Sequence, residues 1–226
     1  MTTLADVPLL RLLGLSSPAL PIGAFAYSQG LEYAVEAGWV TDEPSAVEWI
    51  CGVLAEPFAH LDLAMFVRFY GAHASGDTER VRTTSRELLA FRESRELEQE
   101  DVHLGRAIAR VLVGHGVDAA KPYLDADDAT GASLYALGAT TWGIPLRSAL
   151  VGYTYAWAEA QTGALSRLLP LGQIAVQRIL WKVLEGAPSA VDVALSLDDD
   201  DIGAFAPSYA MASVLHETQY TRLFRS

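Results

Sequence analysis

The sequence contains a single cysteine, Cys51, among its 226 residues. One thiol excludes an internal disulfide and a thiolate metal cluster, and it fits the reducing conditions of a cytoplasm. The sequence also lacks an uninterrupted apolar run of the roughly 18 residues that a membrane-spanning helix needs. We therefore expect a cytoplasmic protein that does not insert into a membrane.

Basic residues are scarce as well. The chain has 16 Lys and Arg against 28 Asp and Glu, so its formal net charge is −12. A negative field of this size repels phosphate backbones, and we expect no binding to nucleic acid. Neither glycine-rich phosphate loop, G-x-x-x-x-G-K-[ST] or G-x-G-x-x-G, occurs, so no nucleotide cofactor is expected. The five histidines lack the H-x-H and H-E-x-x-H spacings of metal sites, so no resident metal is expected either.

Strand signals are equally rare, because the sequence has no N-G or D-G hairpin turn and no sustained alternation of β-branched residues. Apolar residues recur instead at helical spacing along most of the chain. This pattern predicts an all-α fold, a single-domain bundle of roughly eight to ten helices over residues 1–226. Hydrophobic residues make up 51% of the chain, so much apolar surface must be buried internally or against a partner.

Four local features allow sharper expectations. The periodicity predicts a short amphipathic helix over 4–15 and another over 27–37. Pro57 is expected to break or kink the chain, because proline lacks the N–H that a helix interior needs. Gln173 and Gln177 lie one turn apart in an apolar helix, where they either bond across the core or face an interface. The core position is favoured.

The stretch S-S-P-A-L-P-I-G-A-F-A-Y-S-Q-G-L-E, from Ser16 to Glu32, contains the near-motif A-Y-S-Q-G. A serine hydrolase built on Ser28 would need a strand, a sharp turn and a helix, with glycine on both sides of the nucleophile. Ala26 stands in the first glycine position, and two prolines precede it. A hydroxyl that caps the first turn of a helix is the favoured role for Ser28.

The run E-T-Q-Y-T-R-L-F-R-S closes the printed sequence. It combines arginine with aromatic residues, which are enriched among the residues that dominate binding at protein interfaces. We therefore predict that residues 217–226 form a tail that docks on a partner. A short terminal segment rarely recovers the entropy of ordering without a partner, so the tail is expected to be disordered in the isolated chain.

Four stretches of this sequence resemble the UreF family of urease accessory proteins. They are L-L-x-L-x-S-P-A-L-P-I-G-x-F-x-Y-S-x-G-L-E near the start, R-E-x-R-E-L-x-x-E-D-x-x-x-G-R at Arg92–Arg106, the region Gly143–Gln177 with G-I-P-L and L-P-L-G-Q-x-x-x-Q, and the ending H-E-T-Q-Y-T-R-L-F-R-S. The resemblance covers nearly the whole chain. Ala26 departs from it, because the family often has serine there, and a local hydrogen bond is thereby in doubt.

The resemblance implies an all-helical protein without catalytic activity, usually a homodimer. Members bind the accessory protein UreD, also called UreH, and with it recruit the nickel-carrying GTPase UreG to apo-urease. The family's segments that become ordered or buried on UreD binding correspond here to Leu9–Glu32 and Glu217–Arg225. An alternative function is regulation of that GTPase, with Arg222 or Arg225 supplying a catalytic group in trans.

The candidate partner-binding residues belong to these two segments. They are Pro21, Gly23, Phe25, Tyr27, Ser28, Gly30, Glu32, Glu217, Gln219, Tyr220, Arg222, Leu223, Phe224 and Arg225. Phe25 and Tyr27 are the expected anchors of a rigid recognition segment shaped by proline and glycine. No residue is predicted to be catalytic, to bind a cofactor or to ligate a metal.

Overall fold

The computed structural model describes residues 5–203 and 206–226, and within those residues it contains ten α-helices and no strand. The helices are α1 (Asp6–Leu15), α2 (Leu31–Glu36), α3 (Glu43–Ser75), α4 (Thr78–Ala90), α5 (Arg95–Gly114), α6 (Gly131–Thr141), α7 (Leu146–Leu168), α8 (Gln173–Leu184), α9 (Ala187–Ser196) and α10 (Pro207–His216). The predicted all-α class and number of helices are confirmed. The first predicted helix is α1, and Leu4 lies outside the described residues.

Helix α6 lies at the centre of the bundle. Residues 131–139 of this helix are all buried, between α5 and the second half of α3. Its sequence G-A-S-L-Y-A-L-G-A is rich in small side chains, which allow neighbouring helices to approach closely. A Cβ atom added at Gly138 would lie 3.0 Å from Cδ2 of Leu112 on α5. The close contact explains why a helix of low helical propensity forms here, since packing rather than propensity stabilises it.

Of the break or kink expected at Pro57, the break does not occur. The chain changes from α to π winding over Leu54–Leu63 and then returns to α winding, so α3 is one continuous helix of 33 residues. Proline has no N–H to donate and its ring crowds the preceding turn, and the wider π turn accommodates both defects. Pro57 therefore alters the winding of α3 without ending it.

By length and composition alone, α3 is also apolar enough to cross a membrane. Its most apolar 18-residue window is 61% buried inside the structure, as is typical of the core helix of a folded domain. The polar residues Glu56, His60 and Asp62 interrupt its sequence, so no uninterrupted apolar run is visible there.

Helix α2 is shorter than the predicted helix over 27–37. The chain enters it through two residues with left-handed backbone angles, Gln29 with φ of 53° and Gly30 with φ of 80°. Only glycine fits the second position, because a Cβ atom there would lie 2.9 Å from the backbone nitrogen of Ser213 on α10. The segment before α2 is therefore an irregular loop pressed against α10.

A buried ion triad ties α3 to α5. The Arg92 guanidinium donates from Nε to Asp101 Oδ2 at 2.6 Å and from Nη2 to Asp62 Oδ1 at 2.6 Å. Burial alone would lower the pKa of Arg92, but the two carboxylates raise it well above its ordinary value, so the guanidinium stays charged. Asp62 belongs to the π-helical part of α3 and Asp101 to α5, so the triad fixes these elements relative to each other.

Replacing Arg92 by leucine should therefore lower the free energy of unfolding by about 3–5 kcal/mol, because two buried carboxylates lose their counter-charge. Arg147→Leu is the matched control, since Arg147 pairs with Asp192 on the surface and exposed pairs contribute about 0–1 kcal/mol. Urea unfolding of the three proteins measures both changes. Equal losses in the two variants would contradict the structural role given to the triad.

Candidate functional site

The tail, residues 217–226, lies against the loop that joins α1 to α2. Two backbone hydrogen bonds join them, from Arg225 N–H to Ala26 O at 2.8 Å and from Ser28 N–H to Ser226 O at 2.8 Å. The two segments that carry the predicted partner-binding residues are therefore adjacent. The expectation of a disordered tail is wrong for this structure, in which the tail is packed in the isolated chain.

The buried carboxylate of Glu32 holds the tail in place. Its Oε1 accepts from Leu223 N–H at 2.6 Å, and its Oε2 accepts from Phe224 N–H at 2.9 Å. The Nε2 atom of His216 lies 2.9 Å from Oε2 as well. Hydrogen bonds to an ionised acceptor are shorter and stronger than neutral ones, so one side chain fixes the backbone of two tail residues.

His216 connects this contact to α5. Its Nδ1 lies 2.6 Å from Oε2 of Glu96, whose Oε1 accepts from Arg222 Nη1 at 2.5 Å. Each ring nitrogen of His216 thus faces a carboxylate oxygen. Glu32 and Glu96 thus share His216 as a partner, and Glu96 also pairs with the Arg222 guanidinium. Burial of a polar group costs less when it is hydrogen-bonded, and both carboxylates have such partners.

Glu217 joins the tail to the start of α5. Its Oε1 accepts from Arg95 N–H at 2.7 Å and from Glu96 N–H at 3.3 Å. The first N–H groups of a helix have no partner within it and carry partial positive charge, so a carboxylate there stabilises the helix. The tail therefore supplies a cap that the sequence of α5 does not provide for these two groups.

Phe224 anchors the tail in the protein's own core. Its ring is buried, and the Arg167 guanidinium of α7 lies over it at 4.5 Å from the ring centre. Arg167 also donates from Nη1 to Phe25 O at 3.0 Å, so the same side chain holds both the loop and the tail. Phe224 thus contacts this chain and not solvent.

Ser28 has no accessible nucleophile. Its side chain is 0% exposed, and Oγ donates to Ser226 O at 2.5 Å and accepts from Glu32 N–H at 3.3 Å. The hydroxyl therefore serves the first turn of α2, although the N-cap residue itself is Gly30. No histidine is among these bonding partners of the Ser28 hydroxyl, and the turn follows a 3-10 segment instead of a strand. The arrangement gives no support to a serine hydrolase.

A second buried polar cluster lies beneath the loop. Gln29 donates from Nε2 to Glu100 Oε1 at 2.8 Å and accepts at Oε1 from Trp157 Nε1 at 2.9 Å. Ser226 Oγ donates to Glu100 Oε2 at 2.6 Å. Burial raises the pKa of Glu100 to about 7, although the bonds from Ser226 and Gln29 oppose the change. These bonds hold Gln29 in its left-handed conformation.

The loop and tail leave an exposed outer surface between them. The Phe25 side chain is 74% exposed, Tyr220 is fully exposed and Leu223 is 52% exposed. A cleft of about 440 Å³ opens beside Tyr27, whose hydroxyl lies 3.2 Å from Nδ1 of His103. The basic residues that line this cleft are His103, Arg106, Arg110 and Arg225.

The predicted residues fall into two groups. Those exposed enough to meet a partner are Pro21, Phe25, Tyr220, Arg222, Leu223 and Arg225, and those buried within the chain are Tyr27, Ser28, Gly30, Glu32 and Phe224. Gly23, Glu217 and Gln219 are partly buried. The predicted anchor Tyr27 is thus largely internal, whereas Phe25 is exposed.

Sequence reasoning missed four residues that position this surface: Glu96, Glu100, Arg167 and His216. Their partners lie far away in the sequence, as with Glu32 and His216, which are 184 positions apart. The only local signal for these residues was their type. That signal is weak, because a histidine or glutamate on a helix is ordinarily exposed to solvent. Within the described residues, no group of three or more His, Cys, Asp or Glu side chains is arranged to hold a metal ion.

Comparison with known proteins gives the family. The family model described as UreF matches residues 40–184. The chain belongs to the UreF family of urease accessory proteins. The urease accessory protein UreF of Alkalilimnicola ehrlichii is 44% identical over 216 residues, covering 96% of this chain and 95% of the relative. That of Pseudomonas putida strain W619 is 44% identical over 225 residues, covering 98% and 99%. A role in urease maturation follows, and the resemblance seen in the sequence is confirmed.

The raised pKa of Glu100 predicts a pH dependence of stability. Between about pH 4.5 and 7 the folded chain retains a proton on Glu100 that the unfolded chain loses, so stability falls as pH rises through this window. Glu100→Gln fixes the neutral form and keeps one acceptor oxygen for Gln29, and its NH2 group can donate to the Ser226 hydroxyl, which can act as an acceptor. The substitution should raise the free energy of unfolding at pH 8 by up to about 3 kcal/mol and change it little at pH 4.5.

The matched control is Glu98→Gln on the exposed side of the same helix, which should change stability by about 0.5 kcal/mol or less at either pH. Chemical unfolding at the two pH values measures both variants. A Glu100→Gln protein no more stable than wild type at pH 8 would contradict the burial of an ionisable carboxyl at this position.

Proposed function

We propose that this chain is a non-catalytic factor of urease maturation that binds UreD/UreH and recruits the GTPase UreG to apo-urease for nickel insertion. It acts in the cytoplasm as a homodimer, a single helical domain whose residues 217–226 are the docking tail. Membership of the UreF family supports the role. The observation that carries the proposed mode of binding is the fixed surface that the tail and the loop form together.

The composition of that surface favours a protein partner. Phe25, Tyr220 and Leu223 leave apolar side chains in water on two segments that are hydrogen-bonded to each other. Aromatic residues and arginine are enriched among the residues that contribute most to binding energy. The same segments contain Arg222 and Arg225 at the surface. The surface thus has the apolar centre and polar rim of a docking site.

The charge of the cleft points to the kind of partner. The chain carries a net charge of −12, yet Arg110, Arg225 and His103 line one cleft beside the loop. Arg106 lines it too and pairs with Asp127 at 2.5 Å. A basic cleft on an acidic protein gives directed attraction to an acidic patch and disfavours other orientations. An acidic segment of the partner is therefore the expected occupant.

Packing of the tail before binding lowers the cost of association. A segment that folds only on binding loses conformational entropy at that moment, which weakens the complex. Here Glu32 accepts from the N–H groups of Leu223 and Phe224, and Ser28 donates to Ser226 O, in the isolated chain. The partner then meets a preformed surface.

The outer side chains provide the test. Phe25→Asp and Leu223→Asp should each reduce co-purification with UreD/UreH by at least about 30-fold in affinity, since each removes an exposed apolar contact of 2 kcal/mol or more. Leu195→Asp on α9 is the matched control and should bind normally. Circular dichroism and thermal melting confirm folding. Normal binding by both outer variants would overturn the proposed surface.

Point substitutions are preferable to removal of residues 217–226. Truncation after His216 would strip Glu32 of its tail partners and leave the start of α5 without Glu217. A loss of binding could then arise from misfolding.

The same preparations discriminate the alternative function as a GTPase regulator. Arg222 is bound by Glu96, so Arg225 is the exposed candidate for a group acting in trans. Under the proposed function, Arg225→Ala weakens the complex and leaves GTP turnover per assembled complex unchanged. An intact complex with turnover lowered 10³-fold or more would favour the regulator instead.

A further inference from the structure

A groove of about 450 Å³ lies between the first part of α3 and the start of α10. The α3 residues that line it recur every three or four positions from Ser45 to Glu56, so they share one face of the helix. Pro207 and Tyr209 line it from α10. All of the described lining residues lie outside the loop and the tail, so the groove is a separate surface from the one proposed to bind UreD/UreH.

Two indole rings line the groove. The ring centres of Trp39 and Trp49 are 6.1 Å apart, with an angle of 39° between the ring planes. Tyr33 packs on Trp39 in a T-shaped arrangement, with 5.7 Å between the ring centres. Trp39 is still 40% exposed. The rings therefore hold each other in place, while part of the indole surface remains open to a ligand.

The charged residues that line the groove, within the described part of the chain, are both acidic. They are Glu48 and Glu56, which are exposed, and among the described residues neither carboxylate has an ion pair or a hydrogen bond. Glu43 on the same helix is paired, by contrast, with Arg178 at 2.7 Å. Glu48 and Glu56 lie eight positions apart, about 12 Å along the helix. Negative charge without a counter-charge thus lies beside two indole rings.

We propose that this groove binds a basic segment of a partner protein through arginine side chains. A guanidinium stacks on indole rings and forms charge-assisted hydrogen bonds with carboxylates, so arginine suits both features of the groove. In an extended segment, arginines four positions apart are separated by about 13 Å, which matches the spacing of Glu48 and Glu56. The inference deepens the proposed function and rests on it, because a factor that recruits one partner while bound to another needs a second surface.

Charge complementarity favours this occupant over an apolar segment or a second copy of the chain. An apolar side chain would cover the indole rings and draw water away from Glu48 and Glu56 without supplying a counter-charge, which costs free energy. A second copy carries the same net charge of −12 and is repelled. An arginine-bearing segment contacts the rings and neutralises the carboxylates at once.

Titration of the isolated full chain with the peptide acetyl-Arg-Gly-Ser-Gly-Arg-amide tests this chemistry by NMR of the indole N–H groups. The resonances of Trp39 and Trp49 should shift, whereas that of Trp157, which is bonded to Gln29, should not. Citrulline has the shape of arginine without its charge, so a peptide with citrulline at both positions should bind at least about 10-fold more weakly. Equal affinities for the two peptides, or no shift of either indole at about 10 mM arginine peptide, would overturn the inference.

Gly52 offers a substitution that closes the groove and keeps the fold. A Cβ atom there has no neighbour within 4 Å, and leucine favours a helix more than glycine does. Gly52→Leu should therefore abolish binding of the arginine peptide with a Tm at or above that of the wild type. Glu48→Gln should weaken binding about 5-fold, and Glu87→Gln, the matched control at an exposed position of α4, should not. A Gly52→Leu protein that binds the peptide as the wild type does would place the site elsewhere and overturn the inference.

The outcome is separable from that of the proposed function. Gly52→Leu leaves the loop and the tail unchanged, so it should still capture UreD/UreH and yet lose urease activation in cells. Failure of the wild-type chain to capture UreD/UreH would contradict the proposed function and leave the peptide result as it stands. Normal activation by the Gly52→Leu protein would show that no partner uses the groove, and would overturn the inference alone.

Discussion

The carboxylate of Glu32 is the contact on which the partner-facing surface depends. It accepts hydrogen bonds from two tail amides and faces His216, so a residue of α2 fixes a segment 191 residues later in the sequence. The tail has little apolar surface of its own to bury apart from Phe224. Without these bonds it could not offset the loss of conformational entropy that ordering costs. The position of Leu223 and Arg225 at the surface follows from that constraint.

Other features of the structure also hold the loop and the tail in place. The left-handed Gln29 and Gly30 turn the loop so that Glu32 points toward α10, and Gly30 lets the loop lie directly on that helix. His216 lies between the carboxylates of Glu32 and Glu96, and the Arg222 guanidinium pairs with Glu96. Both carboxylates therefore have hydrogen-bonding partners in the folded chain. The tail in turn caps α5 through Glu217, so docking and helix stability support each other.

Much of this was accessible from the sequence. Helical periodicity, the absence of hairpin turns and the family motifs were sufficient for the fold class and for the two segments that meet. The π winding at Pro57 was not accessible from the sequence, because it depends on how α3 packs and not on local propensity. Arg92 and Glu96 lie four residues apart, a spacing typical of an ion pair on an exposed helix face. In the structure they bond instead to Asp62 and His216 in the interior. Such partners are tertiary, and one sequence does not show which distant charge a residue will meet.

The exposed amides of α8 illustrate the same limit. Gln173 and Gln177 stand in an apolar helix, and periodicity alone could not separate a core position from an exposed one. Both are exposed, so the prediction that these amides lie in the core is wrong. The tail was misjudged for a related reason: its entropy cost was evident from the sequence, but the carboxylate that offsets the cost was not.

Amide hydrogen exchange of the isolated chain tests the central claim most directly. If Glu32 holds the tail, the N–H groups of Leu223 and Phe224 exchange at least about 100-fold more slowly than in an unstructured peptide, and Glu32→Ala removes this protection while α6 stays protected. Exchange of both amides at the unstructured rate in the folded wild-type chain would show that the tail is not docked, and the account of a preformed surface would be wrong.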